Sequence, residues 1–211
     1  MAIVPPPTLQ FESDAWVAGV LWVAGVDEVG VGPLAGPVTA AAVALKPGES
    51  YPWFSAVRDS KVLTEPERDD LAAQIRATAH YAIGWASHEE IDRINIYQAR
   101  RLCVMRALEG LTVWPGAVIS DALKLPLPGV RPIVKADALS ISVAAASIVA
   151  KVARDAVMAE LCERYPGYGF CHNKGYPTPE HKKLLARKGP CPEHRRSYAP
   201  VRLAEQPRLP W

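Results

Sequence analysis

Two runs rich in valine and alanine, residues 17–26 and 37–45, leave the first quarter of this chain few ways to fold. Both are far shorter than the roughly 20 apolar residues that cross a bilayer. Their composition and length predict two consecutive buried strands, joined through the Gly- and Pro-containing segment 30–37. The stretch VDEVGVGPL stands between them, so Asp27 and Glu28 directly follow the first run. A carboxylate pair beside a hydrophobic core is costly unless a positive charge balances it. No Lys or Arg lies between Asp14 and Lys46, so the balance must come from distant parts of the chain or from outside it. A metal ion is the leading candidate.

The remaining elements follow from local signals. Thr64 and Glu67 form a capping box with Pro66 in the first turn, which predicts a helix to about Ala79. A third strand is expected at 81–86, and Ser87 with Glu90 makes a second capping box for a short helix. Asn95 caps a longer, largely buried helix that Pro115-Gly116 ends. A fourth strand, 117–120, stops at Asp121; a fifth, 130–135, leads to Asp137. Ser140 then opens the longest helix. This order gives an α/β fold with a mixed sheet covered by helices.

At 211 residues the chain accommodates one sizeable domain with a small extension. Residues 1–14, with Pro5 to Pro7, read as a lead-in without fixed structure; 15–165 form the main domain; 166–211 form a C-terminal helical subdomain packed on it. Charge divides unevenly, with net −5 over residues 1–163 and +7 over 164–211, so the basic quarter points to a polyanionic partner. The N-terminus lacks a basic segment followed by an apolar one, and no run approaches membrane-spanning length. Cys103, Cys162, Cys171 and Cys191 contain no CxxC pair; zinc is not indicated, and a reduced, cytoplasmic protein is expected.

Asp27, Glu28, Asp121 and Asp137 all fall at predicted strand ends, where the functional crevices of α/β sheets form. Clustered carboxylates raise one another's pKa, and divalent metal removes that conflict. Hard oxygen ligands point to Mg²⁺ or Mn²⁺, and two such ions are the usual machinery of phosphodiester hydrolysis. Gly30 and Gly32 let the backbone turn sharply and approach a ligand. On the long helix, Ser140, Ser147, Lys151 and Arg154 share one face. That stripe suits a nucleic-acid groove, although a solvated helix face is the commoner arrangement and is the expectation here.

Together these segments resemble the bacterial type 2 ribonuclease H family, ribonuclease HII. Its opening motif, DEAGRGPLAGPV, is similar to DEVGVGPLAGPV at 27–38. DSKVL at 59–63, EIDRINIYQA at 90–99 and Asp121 with Leu125-Pro126 follow in the family's order. KADALSISVAAASIVAKVARD at 135–155, YPGYGF at 165–170, KGY at 174–176 and GPCPEHRRSY at 189–198 complete the series. The resemblance implies an RNase H-like five-stranded mixed sheet flanked by helices, with a C-terminal helical extension. It also implies endonucleolytic cleavage of RNA in RNA–DNA hybrids and at single ribonucleotides in duplex DNA, leaving 5′-phosphate and 3′-hydroxyl ends. By matching positions, Asp27, Glu28, Asp121 and Asp137 would bind metal, and the Gly30-Val31-Gly32 backbone would meet the ribose 2′-hydroxyl. Tyr176 would sit beside the sugar, and Lys61 would contact phosphate. A monomer is expected.

Three positions depart from the pattern: Val31 replaces Arg, Pro177 replaces Gly, and Asn173 stands where His is common, with His172 one position earlier. Two rivals remain on sequence grounds, another RNase H-like phosphoryl transferase and a non-catalytic hybrid binder. The GPLAGP segment disfavours the first, and four retained acids disfavour the second.

Overall fold

The computed structural model describes residues 5–205. Its centre is a five-stranded sheet in the order β3-β2-β1-β4-β5. Strands β1 (Val23–Val29), β2 (Val38–Leu45) and β3 (His80–Ala86) form an antiparallel meander, while β4 (Ala117–Asp121) and β5 (Val130–Ile133) add in parallel beyond β1. β1 is thus the middle strand, and its acids lie near its C-terminal end.

Helices cover both faces because alternate side chains of β1 and β2 point to opposite sides. Ala24, Val26, Ala40, Ala42 and Ala44 pack against Cys103, Val104, Ala107 and Leu108 of α3 (His88–Glu109). Ala41, Val43 and Leu45 pack on the other face against α2 (Glu65–Thr78) and α4 (Ile141–Arg164). The many alanines of β2 let helices approach from both sides. Gly25 on β1 is needed for the same reason: a Cβ there would strike the α4 backbone at Ser142 and Val143.

Both expected capping boxes form, at Thr64/Glu67 and Ser87/Glu90. Asn95 breaks α3 with a left-handed φ of 66°, and its Oδ1 accepts from the Gln98 N–H to start the second half. Ser140 caps α4 as expected.

Several expectations need correction. The first strand begins at Val23, not Val17, because residues 10–17 form a helix, α1 (Gln10–Val17). The described part of the lead-in, residues 5–14, is therefore not without structure. Fully buried Glu12 accepts hydrogen bonds from the Ser140 and Ser142 hydroxyls and the Ser142 N–H, at 2.6, 2.6 and 2.9 Å. A carboxylate is favoured there because a helix N-terminus presents unpaired N–H groups and the positive end of the helix dipole. Residues 1–4 lie outside the described range. Cys162 and Cys171 are joined as a disulfide, against the expectation of a fully reduced chain, while Cys103 and Cys191 remain free and buried.

Beyond α4 come α5 (Phe170–Asn173), α6 (Pro179–Lys188) and α7 (Ala199–Glu205). They pack on the main body through Leu34, Leu185 and Val201, and through Ala35, Met158, Leu161 and Phe170. The contacts at Leu34 and Ala35 tie this basic end of the chain to the loop that follows the acid pair.

Candidate active site

Asp27 and Glu28 lie within β1 rather than beyond it, and the pleat sends them to opposite faces. Asp27 faces α4. Its carboxylate interacts with the Ser147 hydroxyl, which in turn shares a 2.9 Å hydrogen bond with Ser60. Glu28 faces α3, where the Arg100 guanidinium grips it with contacts of 2.8 and 2.5 Å. Part of the missing positive charge thus comes from within the chain, 72 residues away.

Asp121 ends β4, and its Oδ1 accepts from the Ala136 N–H at 3.0 Å. That bond fixes the tight turn 136–138 carrying Asp137, which is 4% exposed. Asp137 does not directly follow β5 as expected; a left-handed residue, Lys135, turns the chain between them. Lys61 reaches across from the loop before α2 and donates to Asp137 Oδ2 at 3.0 Å, with Asp59 at 3.5 Å.

Burial pushes the Asp27 carboxyl well above its usual range, and repulsion from Glu28, Asp121 and Asp137 adds to this against the Ser147 bond. Burial lifts Glu28 to about 7 despite Arg100. Burial and Asp137 raise Asp121, with the Ala136 bond opposing. For Lys61 burial works against the ammonium, but Asp137, Asp59 and Asp27 outweigh it and hold the charge in place.

Asp27, Glu28, Ser60, Lys61, Asp121, Ser147, Lys151 and Tyr176 line one cleft of about 250 Å³, with Asp137 beside it through Lys61. A larger cavity of about 690 Å³ lies between α6 and α7, with none of Asp27, Glu28, Asp121 and Asp137 in its lining, and offers no comparable chemistry. The polar face of α4 is not solvated, contrary to expectation. Ser140 caps the helix, Ser147 meets Asp27, Lys151 lines the cleft, and Arg154 is fully buried.

The donor set suits a hard divalent cation. Carboxylate oxygens surround a water-accessible cleft, and Asp27 and Asp121, raised first by burial and further by neighbouring carboxylates, are strained as anions in a way that such an ion would relieve. Among the described residues no three acidic, imidazole or thiol side chains are already set to hold a metal ion. The Lys61 and Arg100 charges instead neutralise two of the acids locally.

Of the expected substrate residues, Gly30, Val31 and Gly32 form the loop leaving β1, and Tyr176, 39% exposed, faces it. Gly30 needs its φ of +95°, and a Cβ there would strike Arg154. Gly32 has no such constraint: the nearest atom to a Cβ would be Tyr176 Cε1 at 3.8 Å. The space beside Gly32 is therefore open to a ligand. Val31 packs its side chain against the core on the α3 face rather than projecting into the cleft. Asn173, the other local departure, braces the KGY turn: its amide donates to Tyr168 O and its Oδ1 accepts from Gly175 N, both at 2.8 Å.

Sequence reasoning missed Arg100, Ser60, His181, His194 and Arg195. Arg100 carried a usable signal, since a cation on a mostly apolar helix predicts a buried partner. Ser60, His194 and Arg195 lie within the DSKVL and GPCPEHRRSY motifs, but nothing in those segments showed what they would touch, and no local signal marked His181.

A mixed sheet with this strand order, flanked by helices and bearing acids on β1, at the end of β4 and in the turn after β5, places the chain among proteins of the ribonuclease H-like fold. Residues 24–201 match the Ribonuclease HII family. A ribonuclease HII of Anaeromyxobacter sp. (strain Fw109-5) is 52% identical over 200 residues, covering 93% of this chain and 62% of that protein. One from Cereibacter sphaeroides (strain KD131 / KCTC 12085) is 51% identical over 199 residues, covering 92% of each. The ribonuclease H2 of Pyrococcus horikoshii OT3 superposes with a TM-score of 0.75 at 28% identity, over 88% of this chain and 97% of that one. Bst-RNase HIII, solved in complex with Mn²⁺, shares the fold at a TM-score of 0.68 and 20% identity, over 87% and 69%. The chain belongs to the ribonuclease HII family.

Proposed function

We propose that this chain is an endonuclease that hydrolyses the RNA strand of RNA–DNA hybrids and cuts at single ribonucleotides in duplex DNA, leaving 5′-phosphate and 3′-hydroxyl ends. One observation carries it: the acids of β1 and β4 open onto the same cleft as Tyr176, whose ring bounds the free space beside Gly32. Carboxylates for hydrolysis thus lie next to a gap shaped by bare backbone, where a sugar edge can enter.

Asp27, Glu28, Asp121 and Asp137 would hold Mg²⁺ or Mn²⁺, which when bound activates the attacking water and stabilises the leaving oxygen. The chain's own residues do the rest. The Gly30-Val31-Gly32 backbone reads the 2′-hydroxyl, the group that separates RNA from DNA. The Tyr176 ring packs against that sugar. Lys61, exposed along most of its side chain, serves the scissile region's phosphate, and Lys151 lies further along the same cleft. The basic C-terminal quarter holds the duplex through phosphates, fixing register without reading sequence. A monomer acting in the cytoplasm accompanies this function; among the described residues no helix is long and apolar enough to cross a membrane.

The test is cleavage of a DNA duplex carrying one ribonucleotide, with Mg²⁺, Mn²⁺ or chelator. We expect cleavage only with metal, and its loss in Asp27→Asn and Asp121→Asn while duplex binding persists. Near wild-type turnover in either variant would remove that carboxylate from the metal site. Absence of metal-dependent cleavage in the unaltered chain would overturn the function itself.

A further inference from the structure

Arg195 is fully buried, and among the described residues no carboxylate makes an ion pair with it, Asp92 acting only at longer range. Its fork is spent on backbone: Nε donates to Gly36 O at 3.0 Å, one terminal nitrogen to Val31 O at 3.1 Å, and the other to Gly30 O at 2.6 Å. The Tyr198 hydroxyl, itself hydrogen-bonded to Arg195, donates to Val31 O at 2.9 Å. Burying a guanidinium on neutral acceptors is costly, so its retention calls for a reason beyond packing.

The geometry of the peptide group supplies one. In a trans peptide the C=O and the following N–H point in opposite directions. Drawing the Gly30 and Val31 carbonyls inward onto Arg195 turns the Val31 and Gly32 N–H groups outward. Among the described residues neither amide has a protein acceptor.

The neighbouring residue acts on the other side of the gap. His194 Nδ1 accepts from the Cys191 N–H at 3.0 Å, so its proton belongs on Nε2, facing His181 Nε2 at 3.1 Å. His181 must then carry its proton on Nδ1, which donates to Tyr176 O at 2.9 Å. Burial depresses both imidazoles, His194 to about 4, which keeps them neutral and this chain of donors one-directional. The same segment is pinned directly, with Arg195 N donating to Leu34 O, Leu34 N to Gly175 O and Gly36 N to Glu193 O, at 2.8, 2.8 and 2.9 Å.

We propose that the consecutive residues His194 and Arg195 are positioning residues that set the two walls of the sugar-reading gap against each other: Arg195 orients the Gly30–Gly32 backbone, and His194, through His181, holds the Tyr176 segment. This rests on the cleavage function proposed above and adds to it the source of ribonucleotide discrimination. Neither residue touches substrate.

The experiment compares wild type, Arg195→Lys, Tyr198→Phe, His181→Asn and His181→Leu on a DNA duplex carrying one ribonucleotide, with binding to the all-DNA duplex and thermal melting measured alongside. Lysine keeps the charge but cannot serve three carbonyls in one plane. We expect Arg195→Lys to lose kcat on the order of 100-fold, the scale of a misplaced reacting group. KM and all-DNA binding should hold within about threefold, because phosphate contacts set them. Asparagine at 181 can still donate to Tyr176 O, so His181→Asn should retain several-fold more activity than His181→Leu at equal folded fraction.

Should Arg195→Lys not fold, Tyr198→Phe removes one bond to Val31 O without stranding a charge, and a kcat loss at unchanged KM is again expected. Folded Arg195→Lys or His181→Leu that cleaves within about threefold of wild type would overturn the assignment. So would losses of kcat, KM and all-DNA binding that run in parallel. Failure of the wild type itself to cleave would instead overturn the proposed function, which keeps the two outcomes distinct.

Discussion

Replacing Arg100 with leucine should expose how much the buried Glu28 carboxylate depends on one distant cation. Burial lifts Glu28 from 4.5 to about 7 even with Arg100 in place. At about 1.4 kcal/mol per unit, ionising it in the fold costs roughly 3 kcal/mol. The Glu28 side chain is 7% exposed and that of Arg100 is 26%, with contacts at 2.5 and 2.8 Å. Such a pair gives about 4 kcal/mol at an effective dielectric near 20, and water around Arg100 reduces this to about 2. Arg100→Leu should therefore raise the Glu28 pKa by a further one to two units, or roughly that many multiples of 1.4 kcal/mol.

The sign is fixed by linkage. The folded-state pKa lies above the unfolded value, so the folded protein holds this proton more tightly. Stability from this group is complete below about pH 4.5 and is lost as pH rises to about 7, after which the dependence flattens. In Arg100→Leu the falling limb should continue one to two pH units higher. Chemical denaturation across pH 4 to 9 with chelator present measures it, with carboxyl NMR on Glu28 as the direct readout. Cleavage by the variant should be depressed near pH 7 and partly recover at higher pH, as Glu28 ionises. Parallel stability curves for the two proteins would refute the account, since Arg100 would then not be holding the Glu28 charge.

Gly30 and Gly32 should separate by substitution. Gly30→Ala, at φ +95° and against Arg154, should cost at least about 1–3 kcal/mol from the backbone alone, whereas Gly32→Ala should leave melting within about 0.5 kcal/mol of wild type. Cleavage at a ribonucleotide should nevertheless drop in Gly32→Ala, because the added methyl enters the gap before Tyr176; unchanged cleavage would mean that no sugar approaches there. Tyr176→Ala should impair cleavage at a single ribonucleotide more than it weakens binding to all-DNA duplex. Equal losses in the two assays would make the ring structural only.

Much of this protein was determined by sequence alone. The valine–alanine runs specified the inner strands β1 and β2, Thr64/Glu67, Ser87/Glu90, Asn95 and Ser140 specified helix starts, and ordered motifs carried the family. These features are local, because a cap or a strand pattern acts within a few residues of itself. Tertiary structure decided where charge is balanced. Asp27 and Glu28, adjacent in the chain, face different helices because the pleat alternates, so one meets Ser147 and the other Arg100. The polar stripe of α4 reads in sequence as a solvated face, yet folding buries Arg154 on the carbonyls of Pro37 and Lys174. Likewise Glu12, in a segment read as a lead-in, is held by the far-off hydroxyls of Ser140 and Ser142. A buried charge takes its meaning from whatever acceptor or counter-charge folding brings within about 3 Å, and sequence separation carries no information about that distance.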